Sequence, residues 1–580
     1  MNLFTRISAK DVSFHSEEKD LDCLLKKYLT PYSKESILNM MINYQSRDHF
    51  YSQNPNILKL IDYNLFLTKK ISNFRIRNLF YCYNNPVLLT RANALLIETY
   101  VLTSKDQFGT EEITYDKLLE LLLLINEEDS KSELGLKPNQ SLTTDILEKL
   151  VQSIIRSFNL IECAKLRIPD LNRNYDLITQ LLQTEEGIEC DKLFTKISNI
   201  DILRYISIGY VFYCLLWTNF TDNNFSNIIN LDSLFDGITS DELKLKKLMQ
   251  DVLDKLCGTT TAENINYKLY DTSYIWNHNI RKLSENKYQV IDIGLFVSNF
   301  IKNNFLTFES PFLNCPEKKE HDKNLYLRCV ALSKVFEKQA NDIFHSLKNV
   351  SYLDNHYTNG EEISDCVFNI NDSLFFVECK SGFLPVTKFS KGSEIDILNE
   401  VFKKFGGKYT PKPPKGSGSK KEENKRKGLL QIIDNFIMLN NWDESLYNKK
   451  DATIIKAAQK VFGIVFVEET AISVPVLNKL IFSYNQEEIK KLSSKHFFVP
   501  IFIHINDMHK ILHSETNLNF PDVLESYLEA LSKDYLGSFN DFLIDYCGNP
   551  IEVNDAEHSL LVKEMMNKVY TGAGLHKPNL

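Results

Sequence analysis

The sequence predicts a multidomain chain of α and α/β parts: a mostly helical half over residues 1–320, a mixed-sheet α/β unit over 321–515, and a helical segment over 516–580. Three features predict this. Apolar residues recur at helical spacing through the first half. Short β-branched and aromatic runs bounded by turn residues follow residue 349. A length of 580 residues, 43% of them hydrophobic and 12% aromatic, suffices for roughly two to four cores.

In the first half, "YDKLLELLLLINEED" and "TDILEKLVQSIIRSFNLIECAKL" carry the helical period, and few strand pairs are expected. Breaks at 132–142 and 184–192 predict two helical subdomains. Between Arg204 and Asp222 lie seventeen uncharged residues, at the lower limit for crossing a bilayer. Three tyrosines with Ser, Asn and Thr among them predict a buried helix instead, and no membrane association is expected. The first twenty residues hold no long apolar run, so a secretory signal is not expected and a cytoplasmic location is. Eleven cysteines without a C-x-x-C pair fit reduced thiols better than zinc or a disulfide framework.

The α/β unit begins with a helix across roughly 325–347, where Cys329, Leu332, Phe336, Ala340, Ile343 and Leu347 form one apolar stripe. "NVSYLDN" at 349–355 predicts a first strand. "ISDCVFNI" (363–370) and "SLFFVECK" (373–380) predict a hairpin, because Asn371-Asp372 between them tolerates positive φ. Facing residues then have numbers summing to 743: Ile370 with Ser373, Phe368 with Phe375, Asp365 with Glu378. Opposed Cβ atoms lie about 4.5–5.5 Å apart, and like charges placed so repel. Lys380 shares the face of Glu378 and offsets part of that repulsion. A divalent cation would offset more, and Mg²⁺ favours one or two carboxylates completed by phosphate and water.

From Lys403 to Lys427 the chain carries ten Lys or Arg against two Glu, with Pro, Gly and Ser replacing apolar residues. A basic loop is expected. Lys412, Lys415, Lys420, Lys421, Lys425, Arg426 and Lys427 are its candidate phosphate contacts, a local exception to a net charge of −9 that excludes a broadly basic coat. "FGGKYT" within it lacks P-loop spacing. Beyond it, "KRKGLLQIIDNFIMLNN" predicts a helix, "VFGIVFV" (461–467) a buried strand and "FFVPIFIHI" (497–505) another, with Asp507 capping a helix from near Met508. "PDVLESYLEALSKDYLGSFNDFL" adds further helices.

Asp365, twelve residues, then Glu378-Cys379-Lys380 resembles the D…(D/E)-x-K signature of the PD-(D/E)XK, or restriction-endonuclease-like, nuclease superfamily. The resemblance implies a core of helix, three strands, helix and strand over about a third of the chain, and a metal-dependent phosphodiesterase, an endonuclease rather than an exonuclease. It implies that Asp365 and Glu378 hold Mg²⁺, with Mn²⁺ as substitute, and that Lys380 orients or helps deprotonate the attacking water. Glu337 matches an acid that the family often carries on the preceding helix, with Glu361 and Glu362 as rivals. Gln431 resembles a helix glutamine of some members, but the next aromatic, Phe436, follows at five residues where those members have Tyr at four. Ser364 stands where the signature has Pro. The implied partner is nucleic acid, DNA favoured, in a setting such as prokaryotic restriction or anti-phage defence; the helical half leaves a protein partner open.

Overall fold

The structure is a computed structural model that describes residues 20–52, 91–132, 143–164, 168–221, 227–235, 240–257, 278–298, 318–382, 394–406, 428–512, 518–533 and 535–547, with shorter pieces at 5–6, 72, 86–87, 274–275, 300, 564 and 567–573. The first half is mostly helical, and the second is built on a mixed sheet.

The first half holds long helices at Arg91–Thr103, Tyr115–Ser132, Thr144–Ala164, Ile168–Leu181, Glu185–Ser198, Ile202–Thr221 and Ser240–Leu256. Two expectations need correction. The break expected at 184–192 is only a corner: Thr184 accepts the N–H of Gly187 at 3.0 Å and starts the helix Glu185–Ser198 there. A strand group that the periodicity does not announce also forms, an antiparallel sheet of Ile228–Asn230, Ile280–Ser284 and Lys287–Val290. The uncharged stretch after Arg204 lies in the helix Ile202–Thr221, whose residues 205–214 are buried among neighbouring helices. Among the described residues no single helix is long and apolar enough to cross a membrane, although the bent pair Glu185–Ser198 and Ile202–Leu216 meets that test by length and composition.

Helix α1 (Lys318–His345) joins the halves. Leu327, Ala331, Leu332 and Val335 pack on the first half, and from the next residue on, Phe336, Ala340, Ile343 and Phe344 pack on the sheet. Cys329, expected on the apolar stripe, is exposed; the buried positions around it are Leu327, Arg328, Ala331 and Leu332. Strands β1 (Val350–Tyr352), β2 (Cys366–Ile370) and β3 (Ser373–Lys380) follow. Then come helices α2 (Glu394–Phe405), α3 (Leu429–Asn440) and α4 (Lys449–Ala457), strand β4 (Lys460–Val467) and helix α5 (Leu477–Ile489). Short strands β5 (His496–Phe497) and β6 (Ile501–His504) precede helices α6 (Ile505–Leu512), α7 (Phe520–Ser532) and α8 (Phe539–Cys547).

The sheet order is β5/β6, β4, β3, β2, β1. β4 runs parallel to β3, β5 and β6, whereas β3–β2 and β2–β1 are antiparallel. Helices cover both faces, which is why β3 and β4 read as nearly unbroken apolar runs. Phe368, Phe375, Phe462 and Phe498 stack across the strands at 4.7, 5.0 and 4.4 Å between ring centroids. On the opposite face, Val367, Leu374 and Phe376 meet α2 and α3, and Leu147 and Val151 of the first half join the same cluster.

Four details of the second half differ from the sequence reading. The strand expected at 497–505 is two strands, because the chain between them shifts register from His496↔Lys460 to Ile501↔Ile464 and includes Pro500, which has no N–H for a ladder. Asp507 lies inside α6, not at its cap; its Oδ2 accepts the N–H of His504 at 3.4 Å, while His504 Nδ1 accepts the N–H of Asn506 at 3.1 Å. The basic segment begins later than Lys403, since α2 remains helical through Phe405. Packing also crosses the boundaries expected at 320/321 and 515/516: α7 and α8 share a cluster with β3 and β4, and Val569, Tyr570 and Ala573 return to the first half.

The outer edge of β6 is closed by a side chain. Asn478 of α5 donates Nδ2–H to the Phe502 carbonyl at 3.0 Å and accepts the Phe502 N–H on Oδ1 at 2.9 Å, as a neighbouring strand would. Replacing Asn478 with Ala leaves both backbone groups buried without that partner, so N478A should lower stability by about 1–3 kcal/mol in urea titration, and an unchanged midpoint would remove this role.

Candidate active site

The hairpin decides which side chains meet. Asn371, at φ 56°, begins a two-residue turn, and the pairs from Cys366↔Val377 to Ile370↔Ser373 follow the expected register. Asp365 sits one residue before β2, and its Oδ2 accepts the backbone N–H of Cys379 at 2.6 Å. Its carboxylate thus binds β3 backbone where the ladder runs out. Lys380 Nζ lies 2.9 Å from Glu378 Oε2 and 3.6 Å from Asp365 Oδ2. The three predicted residues therefore converge on one rim of the sheet.

Their burial is graded. The Glu378 side chain is 1% exposed, against 17% for Asp365 and 23% for Lys380, so the cluster is closed behind Glu378 and open towards the lysine. Burial pushes the Glu378 carboxyl up to about 7, with Asp365 adding repulsion and Lys380 opposing both. Burial also acts to lower the Lys380 pKa, but the attraction of Glu378 and Asp365 outweighs it and leaves the ammonium above its ordinary value.

Glu337 is half-buried on α1, and its carboxyl is raised by burial and then by the charges of Asp365 and Glu362, with Lys380 opposing. It shares the field of the cluster. Glu361 and Glu362 are exposed. Gln431 is half-buried in the first turn of α3, and among the described residues it makes no hydrogen bond to Asp365, Glu378 or Lys380. The seven basic candidates from Lys412 to Lys427 lie outside the described residues. What precedes and follows them is described. Gly428 combines φ 53° with an approach so close that a Cβ there would lie 2.3 Å from the Phe405 carbonyl oxygen and 3.5 Å from Lys380 Cε. The two flanks of segment 407–427 therefore meet beside the candidate lysine.

Several contacts escaped sequence reasoning. Ser364, fully buried, has Oγ 2.9 Å from Glu378 Oε1. Asn435 of α3 donates Nδ2–H to the Ile363 carbonyl and so holds the approach to Asp365. Glu468 and Glu469, just past β4, are buried at the same end of the sheet because Lys380 pairs with Val467. Arg173, from the helix Ile168–Leu181, reaches Glu468 at 3.2 Å, and His504 Nε2 lies 3.1 Å from the Glu468 carbonyl oxygen. Parallel pairing and packing between the halves create these neighbours, and neither leaves a local signature.

Among the described residues no group of three or more His, Cys, Asp or Glu side chains is arranged to hold a metal ion. The two convergent carboxylates do not make an all-protein cage. Their hard oxygens instead suit an ion completed by phosphate and water, the habit of Mg²⁺, and the Lys380 ammonium between them marks where positive charge is favoured. Comparisons of the chain with models of known protein families, with curated proteins and with solved structures find no match.

A buried acid titrating near 7 leaves a trace in stability. Raised from 4.5 to about 7, the Glu378 carboxyl binds its proton more tightly folded than unfolded. Its contribution is complete below the unfolded pKa and disappears as pH rises through the folded one. In metal-free buffer, wild type should lose on the order of 1–3 kcal/mol relative to E378Q between those two pH values. Urea titrations at several pH values test this, and parallel profiles would contradict it.

Proposed function

We propose that the chain is a Mg²⁺-dependent nuclease that hydrolyses phosphodiester bonds of nucleic acid, with DNA favoured over RNA, endonucleolytic cleavage favoured, and Mn²⁺ able to substitute. One observation carries the reading: Asp365, Glu378 and Lys380 meet at a partly open sheet rim, with two acids held together against their repulsion. Support also comes from the element order around them, helix α1, strands β1 to β3, helices, then β4, which is the order that the resemblance implies. Prokaryotic restriction or anti-phage defence is the setting associated with such an activity.

Asp365 and Glu378 would hold the ion, which when bound supplies Lewis acidity and an activated water. The protein's own part is charge and position. Lys380, kept protonated by its two acidic neighbours, offsets phosphate charge and orients the attacking water; with a raised pKa it is poorly suited to removing a proton at neutral pH. Glu337 adds negative charge to the same cluster. Gln431 remains a candidate for contact at the first turn of α3. The basic residues Lys412, Lys415, Lys420, Lys421, Lys425, Arg426 and Lys427 are assigned to phosphate backbone, since both flanks of their segment stand next to Lys380.

A second reading, a non-catalytic protein that binds nucleic acid or another partner, is favoured by one observation. Lys380 itself neutralises part of the acidic pair.

Purified chain incubated with plasmid, linear DNA and RNA separates the two. Cleavage should require Mg²⁺ or Mn²⁺ and stop with chelator, and K380A should slow it by about 10²–10³-fold with binding retained; D365N and E378Q should also slow it. Unchanged cleavage in these variants would reject the site, and binding without cleavage under any metal would support the second reading. Replacing the seven basic residues with Gln should weaken binding and flatten its dependence on salt, and an unaltered salt slope would remove them from the interface.

A further inference from the structure

We propose that Ser364 is a positioning residue that fixes the carboxylate of Glu378 for the metal ion, an inference that rests on the nuclease reading of this site. The side chain is fully buried, and its Oγ lies 2.9 Å from Glu378 Oε1 and 2.9 Å from the Val377 carbonyl oxygen. A hydroxyl carries one proton, and an ionised carboxylate is the stronger acceptor of the two. Once Glu378 is ionised, as it must be to hold a cation, the proton goes to Glu378. With Lys380 Nζ on Oε2 at 2.9 Å, each oxygen of Glu378 then has its own donor, and the plane of the carboxylate is set.

Ser364 is itself held in place. The carbonyl of Ile363, one residue earlier, accepts a hydrogen bond from Asn435, and the carboxylate of Asp365, one residue later, takes the N–H of Cys379 at 2.6 Å. The donor is therefore anchored on both sides and has little freedom to follow a Glu378 that turns away. Proline, which the signature has at this position, offers no hydroxyl and no N–H. This chain has put a donor there, within reach of the most buried member of the cluster. Groups that hydrogen-bond a metal-binding carboxylate orient it, and losing one typically costs about 10–100-fold in metal affinity.

The test is calorimetric titration of Mn²⁺ into the full chain without nucleic acid, using wild type, Ser364→Ala, Ser364→Thr and Ser364→Cys, with thermal melting of each metal-free protein alongside. S364A should bind Mn²⁺ about 10–100-fold more weakly. S364T, which keeps the hydroxyl, should restore affinity close to wild type. S364C is close to serine in shape but slightly larger and donates poorly, so it should also bind weakly while remaining folded by its melting curve; it carries the test should S364A prove too unstable to titrate. Equal Mn²⁺ affinity in wild type and S364C, or no recovery in a folded S364T, overturns the role of Ser364 and leaves the nuclease reading standing. A wild type that binds no Mn²⁺ and cleaves nothing overturns both.

Discussion

A buried carboxylate beside a second carboxylate is the constraint around which this half of the molecule is arranged. Glu378 cannot remain ionised at the end of an apolar strand without compensation, and two donors provide it. Lys380 and Ser364 each take one of its oxygens, and the N–H of Cys379 takes up Asp365. Each of these groups comes from within two residues of the hairpin's open end. A turn at Asn371-Asp372 one residue longer or shorter would shift the register, and a strand with a side-chain period of two would then carry Asp365 to the wrong face.

The remaining elements make that rim usable. β4 runs parallel to β3, so the carboxyl ends of both strands, and that of β6 beyond them, open on the same side. α3 begins with Gly428 against the stem of Lys380 and contributes Asn435 to the approach to Asp365. α1 packs one end on the helical half and the other on the sheet, bringing Glu337 into the field of the cluster. Arg173 adds a further tie between the halves by pairing with Glu468, a few residues from the rim. The helical half is thus joined to the site end of the sheet by packing and by charge.

Charge separation fits the proposed chemistry. The chain is acidic overall, and a polyanion would be repelled by most of its surface. Segment 407–427 is rich in basic residues, and its two described flanks meet beside Lys380. In the proposed function the two carboxylates alone would repel a phosphodiester, and an ion held between them would offset that repulsion.

The sequence by itself determined what is local. It set the hairpin and its register, because an Asn-Asp turn between two β-prone runs leaves one way to pair them. It also set the adjacency of Asp365, Glu378 and Lys380, which follows from that register, and most of the helices, whose apolar residues repeat on one face. Only the tertiary structure decided what depends on distant pairing. Parallel strands far apart in the chain have no turn to announce them, so Glu468, Glu469 and His504 could not be seen approaching the rim. Nor could the three-stranded sheet of the first half, the exposed side of Cys329, or the split at Pro500. Ser364 shows the difference most sharply: in the sequence it is a departure from a signature, and only the fold, by closing every route to water around it, turns its hydroxyl into the partner of Glu378.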